Sequence, residues 1–121
     1  MKRLSVPQIV LLHDYLISQS GGVIGIGDEN MLDSAANSPF QTFLGEYLYK
    51  SLNEMAAHLC YSLIKNHPFI DGNKRTGMLA LISFLEMNGN PIKINNSDIV
   101  NLGKSIATDH VECVVLMCAS S

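Results

Sequence analysis

The spacing of apolar residues along the first part of the chain predicts helices separated by glycine-rich or proline-containing breaks. Ile9, Leu12 and Leu16 recur at helical intervals. Ser5–Gln8 precedes them with the form of a capping box and places a proline in the first turn. Residues 21–27 are rich in glycine. The pattern therefore predicts one helix that ends near residue 20 and a loop behind it.

A short second helix is predicted behind Asp28, which is a favourable N-cap, and Pro39 interrupts it. Residues 39–46 lack a helical period, so we expect a short extended flap there. Its predicted members are Phe40, Gln41, Thr42, Phe43 and Leu44. Apolar positions from 52 to 64 predict a third helix, with Ser51 as a candidate cap or a slightly earlier start.

The third helix should end at His67, because a proline disfavours helical geometry in the residue before it. The next segment, Asn73 to Asn88, is apolar on nearly every side and predicts a central helix that stops at Gly89. Residues 96–106 predict a further helix, and a last apolar stretch, residues 111–119, is expected to pack back on the core. We therefore expect an all-α fold, one compact domain over residues 1–121 with five or six helices and the flap.

Composition narrows the function classes. The chain is 47% hydrophobic with a formal net charge of −3, and its eight Lys and Arg are scattered apart from one adjacent pair. A basic stripe for direct nucleic-acid binding is absent from the sequence. The longest apolar runs are far short of the ~20 residues that span a bilayer. Three cysteines without paired spacing are typical of a reduced cytoplasmic protein, with Cys60 as core packing.

The densest polar chemistry lies in HPFIDGNKRTG, residues 67–77, directly before the most apolar helix. A helix start carries unpaired N–H groups and positive partial charge, which is a site for anions such as phosphate. Lys74 and Arg75 in that first turn oppose the helix dipole, and this conflict indicates a site that receives an anion. Asp71 is a hard ligand suited to Mg²⁺ beside a polyphosphate, and His67 suits a general base.

Each of these residues also has a simpler interpretation. A histidine before proline is an ordinary loop residue, Asp71-Gly72 is a common turn pair, and Lys74 and Arg75 can be solvated surface charges. Asn73 can donate either to a phosphate or to the loop backbone. Neither a P-loop nor a zinc motif is present in the sequence. Only the combination is specific, and it favours a phosphate site.

The segment His67-Pro-Phe-Ile-Asp71-Gly-Asn-Lys-Arg75 resembles the Fic/Doc signature HxFx[D/E][G/A]N[G/K]R at every fixed position. The opening helix with Leu12-His13-Asp14, the flap, and the segment Phe84–Gly89 are similar to the short Doc (death-on-curing) branch. The resemblance covers nearly the whole chain. It implies a Fic-type helical domain and an enzyme that uses ATP or a similar donor to modify a hydroxyl of a target protein.

The resemblance also implies roles for the residues of the signature. His67 would take the proton from the target hydroxyl, and Asp71 would hold Mg²⁺. The phosphates would be bound by Gly72, Asn73, Lys74 and Arg75, while Phe69 would anchor the loop in the core. The flap would hold the target segment extended by strand addition.

Two positions separate the branches of this family. AMP-transferring members usually carry glycine where this chain has Lys74, and a second arginine where it has Met78. Doc-like toxins share the lysine, transfer the terminal phosphate of ATP to translation elongation factor Tu, and are neutralised by a small Phd-like antitoxin. The resemblance thus implies a translation-blocking kinase-like toxin. AMP transfer and a non-catalytic module that binds nucleotide or antitoxin stay as alternatives.

Residues elsewhere yield weaker interpretations. Thr108–Glu112 only loosely matches the family's inhibitory motif and reads better as a helix start. His13, His58 and His110 are interpreted as structural or exposed, since the sequence shows no partner for them. The apolar end, VVLMCASS, fits either core packing or a partner contact.

Overall fold

The computed structural model describes residues 1–91. Four α-helices, one 3₁₀ turn and one β-hairpin follow in order: α1 (Val6–Ser20), α2 (Glu29–Asn37), the 3₁₀ turn (Ser38–Phe40), β1 (Thr42–Phe43), β2 (Glu46–Tyr47), α3 (Leu52–Asn66) and α4 (Asn73–Met87). The predicted all-α fold is confirmed over this range. The predictions for residues 96–106 and 111–119, for Thr108–Glu112 and for His110 lie outside the described residues.

The predicted capping box forms at the start of α1. The Gln8 N–H donates to Ser5 Oγ over 3.3 Å, and the Ser5 N–H donates to Gln8 Oε1 over 2.8 Å. The helix is followed by its C-cap, Gly21, whose φ of +83° is a value that glycine adopts without strain. Ile9, His13 and Ile17 repeat every four residues on its buried face, so this face of α1 packs against the rest of the domain.

The helix α2 begins where Asp28 caps it, since Asp28 Oδ1 accepts a hydrogen bond from the Met31 N–H over 3.1 Å. In α3 the capping is of the same kind: Ser51 Oγ accepts from the Glu54 N–H over 3.0 Å. The helix therefore starts at Leu52, and the slightly earlier start considered from the sequence is wrong.

The flap is a short antiparallel hairpin that pairs Thr42 with Tyr47 and Phe43 with Glu46. Its two-residue turn gives Leu44 and Gly45 positive φ values of 53° and 80°, as the twist of tight hairpins requires. The extended segment begins at Gln41, one residue later than predicted. Phe40 differs from the rest of the predicted flap, because it lies in the 3₁₀ turn and is buried.

Phe40 is buried because its ring packs against Phe84 of α4, with ring centroids 5.8 Å apart. The Arg3 guanidinium covers the ring of Phe40 at 4.4 Å. This contact fixes the base of the hairpin to the core and leaves Phe43 and Leu44 exposed at its tip.

The helices α3 and α4 pack closely along a line of small residues. A Cβ on Gly77 would lie 3.0 Å from the Cys60 carbonyl oxygen, so glycine is what permits this approach. Cys60 is fully buried beside Met78, with the two sulfur atoms 3.6 Å apart, which confirms the prediction that it packs in the core. The predicted central position of α4 is confirmed as well, since Leu81, Phe84 and Leu85 are buried.

The end of α4 forms a Schellman motif. The Asn90 N–H donates to the Leu85 carbonyl and the Gly89 N–H donates to the Glu86 carbonyl, while Gly89 adopts a φ of +79°. Gly89 is thus the helix stop that the sequence predicted. Within residues 1–91, none of the helices has the length and apolar character needed to cross a lipid bilayer.

Candidate active site

The loop between α3 and α4 is held by backbone hydrogen bonds to the glycine-rich loop behind α1. The Ile70 N–H donates to the Gly25 carbonyl over 3.1 Å. The N–H groups of Gly27 and Asp28 both donate to the Pro68 carbonyl, over 2.7 and 3.0 Å. Two loops that are distant in sequence therefore form one layer, and the side chains of the signature start from a fixed backbone.

Asn73 closes the loop from inside. Its Oδ1 accepts from the Phe69 N–H and its Nδ2 donates to the Phe69 carbonyl, each over 2.9 Å. Both residues are almost fully buried, and Phe69 is the anchor that the sequence predicted. Of the two roles considered for the Asn73 side chain, the structure shows the bond to the loop backbone. Its backbone N–H stays in the first turn of α4, where it belongs to the set available to an anion.

The first turn of α4 is built for negative charge. Gly72 is its N-cap in the left-handed region, with φ +78° and ψ +21°, and no side chain caps the helix. The first turn contains no acidic residue, so no side chain of the turn itself offsets the partial positive charge of the helix start. Lys74 is exposed and adds a full charge, and its ammonium has no hydrogen-bond partner within residues 1–91.

Arg75 is held in place by the end of α1. Its Nη1 donates to Ser20 Oγ and, over 3.5 Å, to the Gly21 carbonyl. Ser20 Oγ in turn donates to the Leu16 carbonyl over 2.7 Å, so the hydroxyl connects the guanidinium to the α1 backbone. The arginine therefore extends from the first turn of α4 to the C-terminal end of α1, and its other nitrogens make no hydrogen bond to residues 1–91.

Asp71 lies between the two loops. Its Oδ1 accepts from the Gly72 N–H over 2.8 Å, and its Oδ2 accepts from the Val23 N–H over 3.2 Å. Each oxygen keeps further lone pairs, so the carboxylate is oriented but not saturated. Residues 1–91 contain no group of three or more His, Cys, Asp or Glu arranged as a metal site. A single carboxylate fits Mg²⁺, which commonly binds through one or two carboxylates together with phosphate oxygens and waters.

His67 is the C-cap of α3 and adopts the left-handed region, with φ +50° and ψ +52°. Histidine is among the non-glycine residues that tolerate this region, although the conformation is uncommon. The imidazole is exposed, and among the described residues no group hydrogen-bonds to it. Within the described part of the chain, nothing therefore blocks the approach of an external proton donor to this ring.

These residues line one cleft with a volume of about 230 cubic ångströms. Its lining consists of Ile64, His67, Asp71, Gly72, Asn73, Lys74 and Arg75. The structure thus brings together all six residues that the sequence predicted for base, metal and phosphate. The hairpin does not line the cleft, and of the predicted flap residues Gln41, Thr42, Phe43 and Leu44 are exposed. The cleft combines a free imidazole, a hard carboxylate and a positively charged helix start, which is a set suited to chemistry on a phosphorylated ligand.

The sequence missed the partners of two histidines. It predicted that His13 and His58 are structural or exposed, and the structural role is confirmed for both, but it showed no partner for either. His13 is buried and bonds to Asp71 and Asp14, while His58 stacks on Tyr49 with ring centroids 4.3 Å apart. The available signal for His13 was its place four residues from both Ile9 and Ile17, which puts it on the buried face of α1.

Comparison with known proteins agrees with the signature. A toxin Doc of Mycolicibacterium smegmatis is 42% identical over 69 residues, which is 57% of this chain and 53% of that protein. The chain thus matches about half the length of that relative. A protein kinase doc of Escherichia phage P1 is 26% identical over 111 residues, or 92% of this chain and 86% of that protein. The model of the Fic/DOC family matches residues 3–85. The chain therefore belongs to the Fic/DOC family.

Proposed function

We propose that this protein is a Doc-like toxin that transfers the terminal phosphate of ATP to a hydroxyl of a target protein, with translation elongation factor Tu as the target. The observation that carries the proposal is the single cleft that joins the free imidazole of His67 to the positive first turn of α4. The names of its relatives, a toxin and a protein kinase, support the same class.

In the proposed reaction His67 accepts the proton of the target hydroxyl as that oxygen bonds to the terminal phosphorus. The bond from this phosphorus to the bridging oxygen breaks, and ADP leaves. The first-turn N–H groups of α4, with Lys74 and Arg75, stabilise the negative charge on the phosphate oxygens. Asp71 would hold Mg²⁺, which would neutralise part of the phosphate charge.

Transfer of phosphate, rather than of AMP, is supported by positions 74 and 78. Lys74 occupies the place where AMP-transferring members usually have glycine. Met78 occupies the place of their second arginine, and its side chain is 2% exposed with its sulfur against Cys60. An arginine at this position would bury an unpaired charge between α3 and α4. A second arginine grip on the nucleotide is therefore incompatible with this core.

The hairpin is proposed to bind the target segment by strand addition. Among residues 1–91 its two strands pair only with each other, so no described strand covers the outer edge of either one. Phe43 and Leu44 are 67% and 88% exposed and supply apolar contacts next to these edges.

The test uses ATP labelled at either the alpha or the gamma phosphate, with purified elongation factor Tu and, in parallel, a cell extract. We expect gamma label on the target protein and none from alpha label. Alpha label alone would replace the proposal with AMP transfer. His67→Ala and Lys74→Ala should abolish or strongly reduce transfer, whereas Lys2→Ala, at an exposed lysine outside the cleft, should not change it.

A growth assay tests the biological role. Expression of the chain is expected to arrest growth, and either His67→Ala or co-expression of a Phd-like antitoxin is expected to restore it. Equal growth with the unmodified chain and with His67→Ala would instead favour a module that binds nucleotide or antitoxin without catalysis.

A further inference from the structure

His13 lies outside the cleft. Its side chain is buried, and it has no role in the proposed reaction. It is 1% exposed and lies between α1 and the loop that carries Asp71. Its ring stacks on Phe69 with centroids 3.9 Å apart and planes within 5°. Its Nε2 lies 2.7 Å from the Asp71 carbonyl oxygen, and its Nδ1 lies 3.1 Å from Asp14 Oδ1. The ring is thus fixed from three sides.

The donor role of Nε2 follows from its partner. A carbonyl oxygen only accepts hydrogen bonds, so Nε2 carries a hydrogen and donates it to the Asp71 carbonyl. In a trans peptide the C=O and the following N–H point in opposite directions. Because His13 holds the carbonyl of Asp71 toward α1, the N–H of Gly72 points away from α1. That N–H is the one that donates to Asp71 Oδ1 over 2.8 Å.

We infer that His13 is a positioning residue: through the peptide between Asp71 and Gly72 it orients the carboxylate that is proposed to bind the metal. The inference rests on the proposed function for the role of Asp71. His13 touches neither substrate nor metal and acts only through this peptide. Gly72 completes the arrangement, since a Cβ there would lie 3.7 Å from His13 Nε2 and 3.1 Å from Ile17 Cδ1.

Two variants separate positioning from packing. His13→Leu retains an apolar side chain of similar size against Phe69 but removes the donor. His13→Gln restores an N–H donor at about the distance of Nε2. Ile9→Val is the matched control, because Ile9 is buried on the same face of α1 but is part of the hydrophobic core and outside the cleft. Should His13→Leu fold poorly, His13→Asn also removes the bond, since its amide is shorter.

The first measurement is the Mg²⁺ concentration that gives half-maximal phosphate transfer at fixed ATP. We expect it to rise about tenfold or more in His13→Leu, the range typical for residues that orient metal ligands, and to stay near the unmodified value in His13→Gln and Ile9→Val. Calorimetric binding of ATP should weaken in His13→Leu with Mg²⁺ present and stay unchanged in EDTA. Equal Mg²⁺ dependence in all variants would overturn the inference.

The second measurement needs no activity. Amide hydrogen exchange of Gly72 and Val23, followed by NMR, reports directly whether the Asp71 carboxylate still accepts their hydrogen bonds. Both amides should exchange faster in His13→Leu than in Ile9→Val when the two variants are compared at equal global stability. Unchanged protection would refute the positioning role even if transfer occurs. A chain that transfers no phosphate but shows this exchange pattern would refute the proposed function alone.

Discussion

Replacing Gly72 with alanine tests how strongly the first turn of α4 depends on glycine. Gly72 has φ +78°, and Gly89, at the other end of the same helix, has φ +79°. A Cβ on Gly89 would meet no atom of residues 1–91 within 4 Å, whereas a Cβ on Gly72 would lie 3.1 Å from Ile17 Cδ1 and 3.5 Å from Arg75 Nη2. The two substitutions therefore share the backbone cost and differ in crowding.

The left-handed conformation costs a non-glycine residue about 1–2 kcal/mol, and this is the whole expected effect of Gly89→Ala. Crowding by an added methyl in a packed site costs ~1–3 kcal/mol. Because the terminal methyl of Ile17 can shift, we place the crowding near the lower end of that range. Gly72→Ala is thus expected to lose roughly 2–3 kcal/mol of unfolding free energy.

Urea unfolding of the unmodified chain and both variants measures the two terms, because the difference between the variants isolates crowding. Phosphate transfer, assayed where all three proteins are folded, should fall in Gly72→Ala and not in Gly89→Ala. Equal destabilisation by both variants would show that the contacts around Gly72 carry no free energy. A neutral or stabilising Gly72→Ala would refute the left-handed geometry of the N-cap itself.

Substitutions at three further positions test the framework of the fold. Asn73→Leu leaves the buried N–H and carbonyl of Phe69 unpaired and should lower the free energy of unfolding in urea by about 2–4 kcal/mol. Asn73→Asp keeps the acceptor and should lower it less. Equal losses in the two variants would contradict the two-bond geometry. Ser5→Ala should lose about 1 kcal/mol through the capping box, and no loss would refute that box. Burial raises the pKa of Tyr49 above its ordinary value of 10.0, so the folded state favours the neutral phenol. Stability is then fully present below pH 10 and is lost as pH rises through the folded pKa, and Tyr49→Phe should reduce this alkaline loss in pH-dependent unfolding.

Local signals explain why so much of the helical framework was predictable. The capping box at Ser5, the cap at Asp28 and the stop at Gly89 each act within a few residues, and the structure places all three as predicted. The cleft was predictable for a related reason. Its chemistry is concentrated in residues 67–75, and a helix that starts at Asn73 necessarily gathers them at one end.

The parts that the sequence did not predict are contacts between distant segments. Arg75 bonds to Ser20 across 55 positions, and His13 bonds to Asp71 across 58. Neither pairing has a local signature, since it depends on how α1 packs beside α4. Phe40 was assigned to the extended flap because residues 39–46 lack a helical period. In the structure its side chain points into the core, where it packs against Phe84.

The polar side chains of the signature fall into two groups: some hydrogen-bond to the loop backbone and others do not. This difference explains why so many polar residues directly precede a buried helix. Asn73 and Asp71 satisfy backbone groups of the loop, so they build the cleft as well as line it. His67 and Lys74 make no hydrogen bond within residues 1–91. If the loop backbone lacked partners, either side chain could bond to it instead. Because the loop backbone is already satisfied within residues 1–91, it does not draw these two side chains away from the cleft. The apolar helix therefore supplies the rigidity, and these two side chains are the ones proposed to act on substrate.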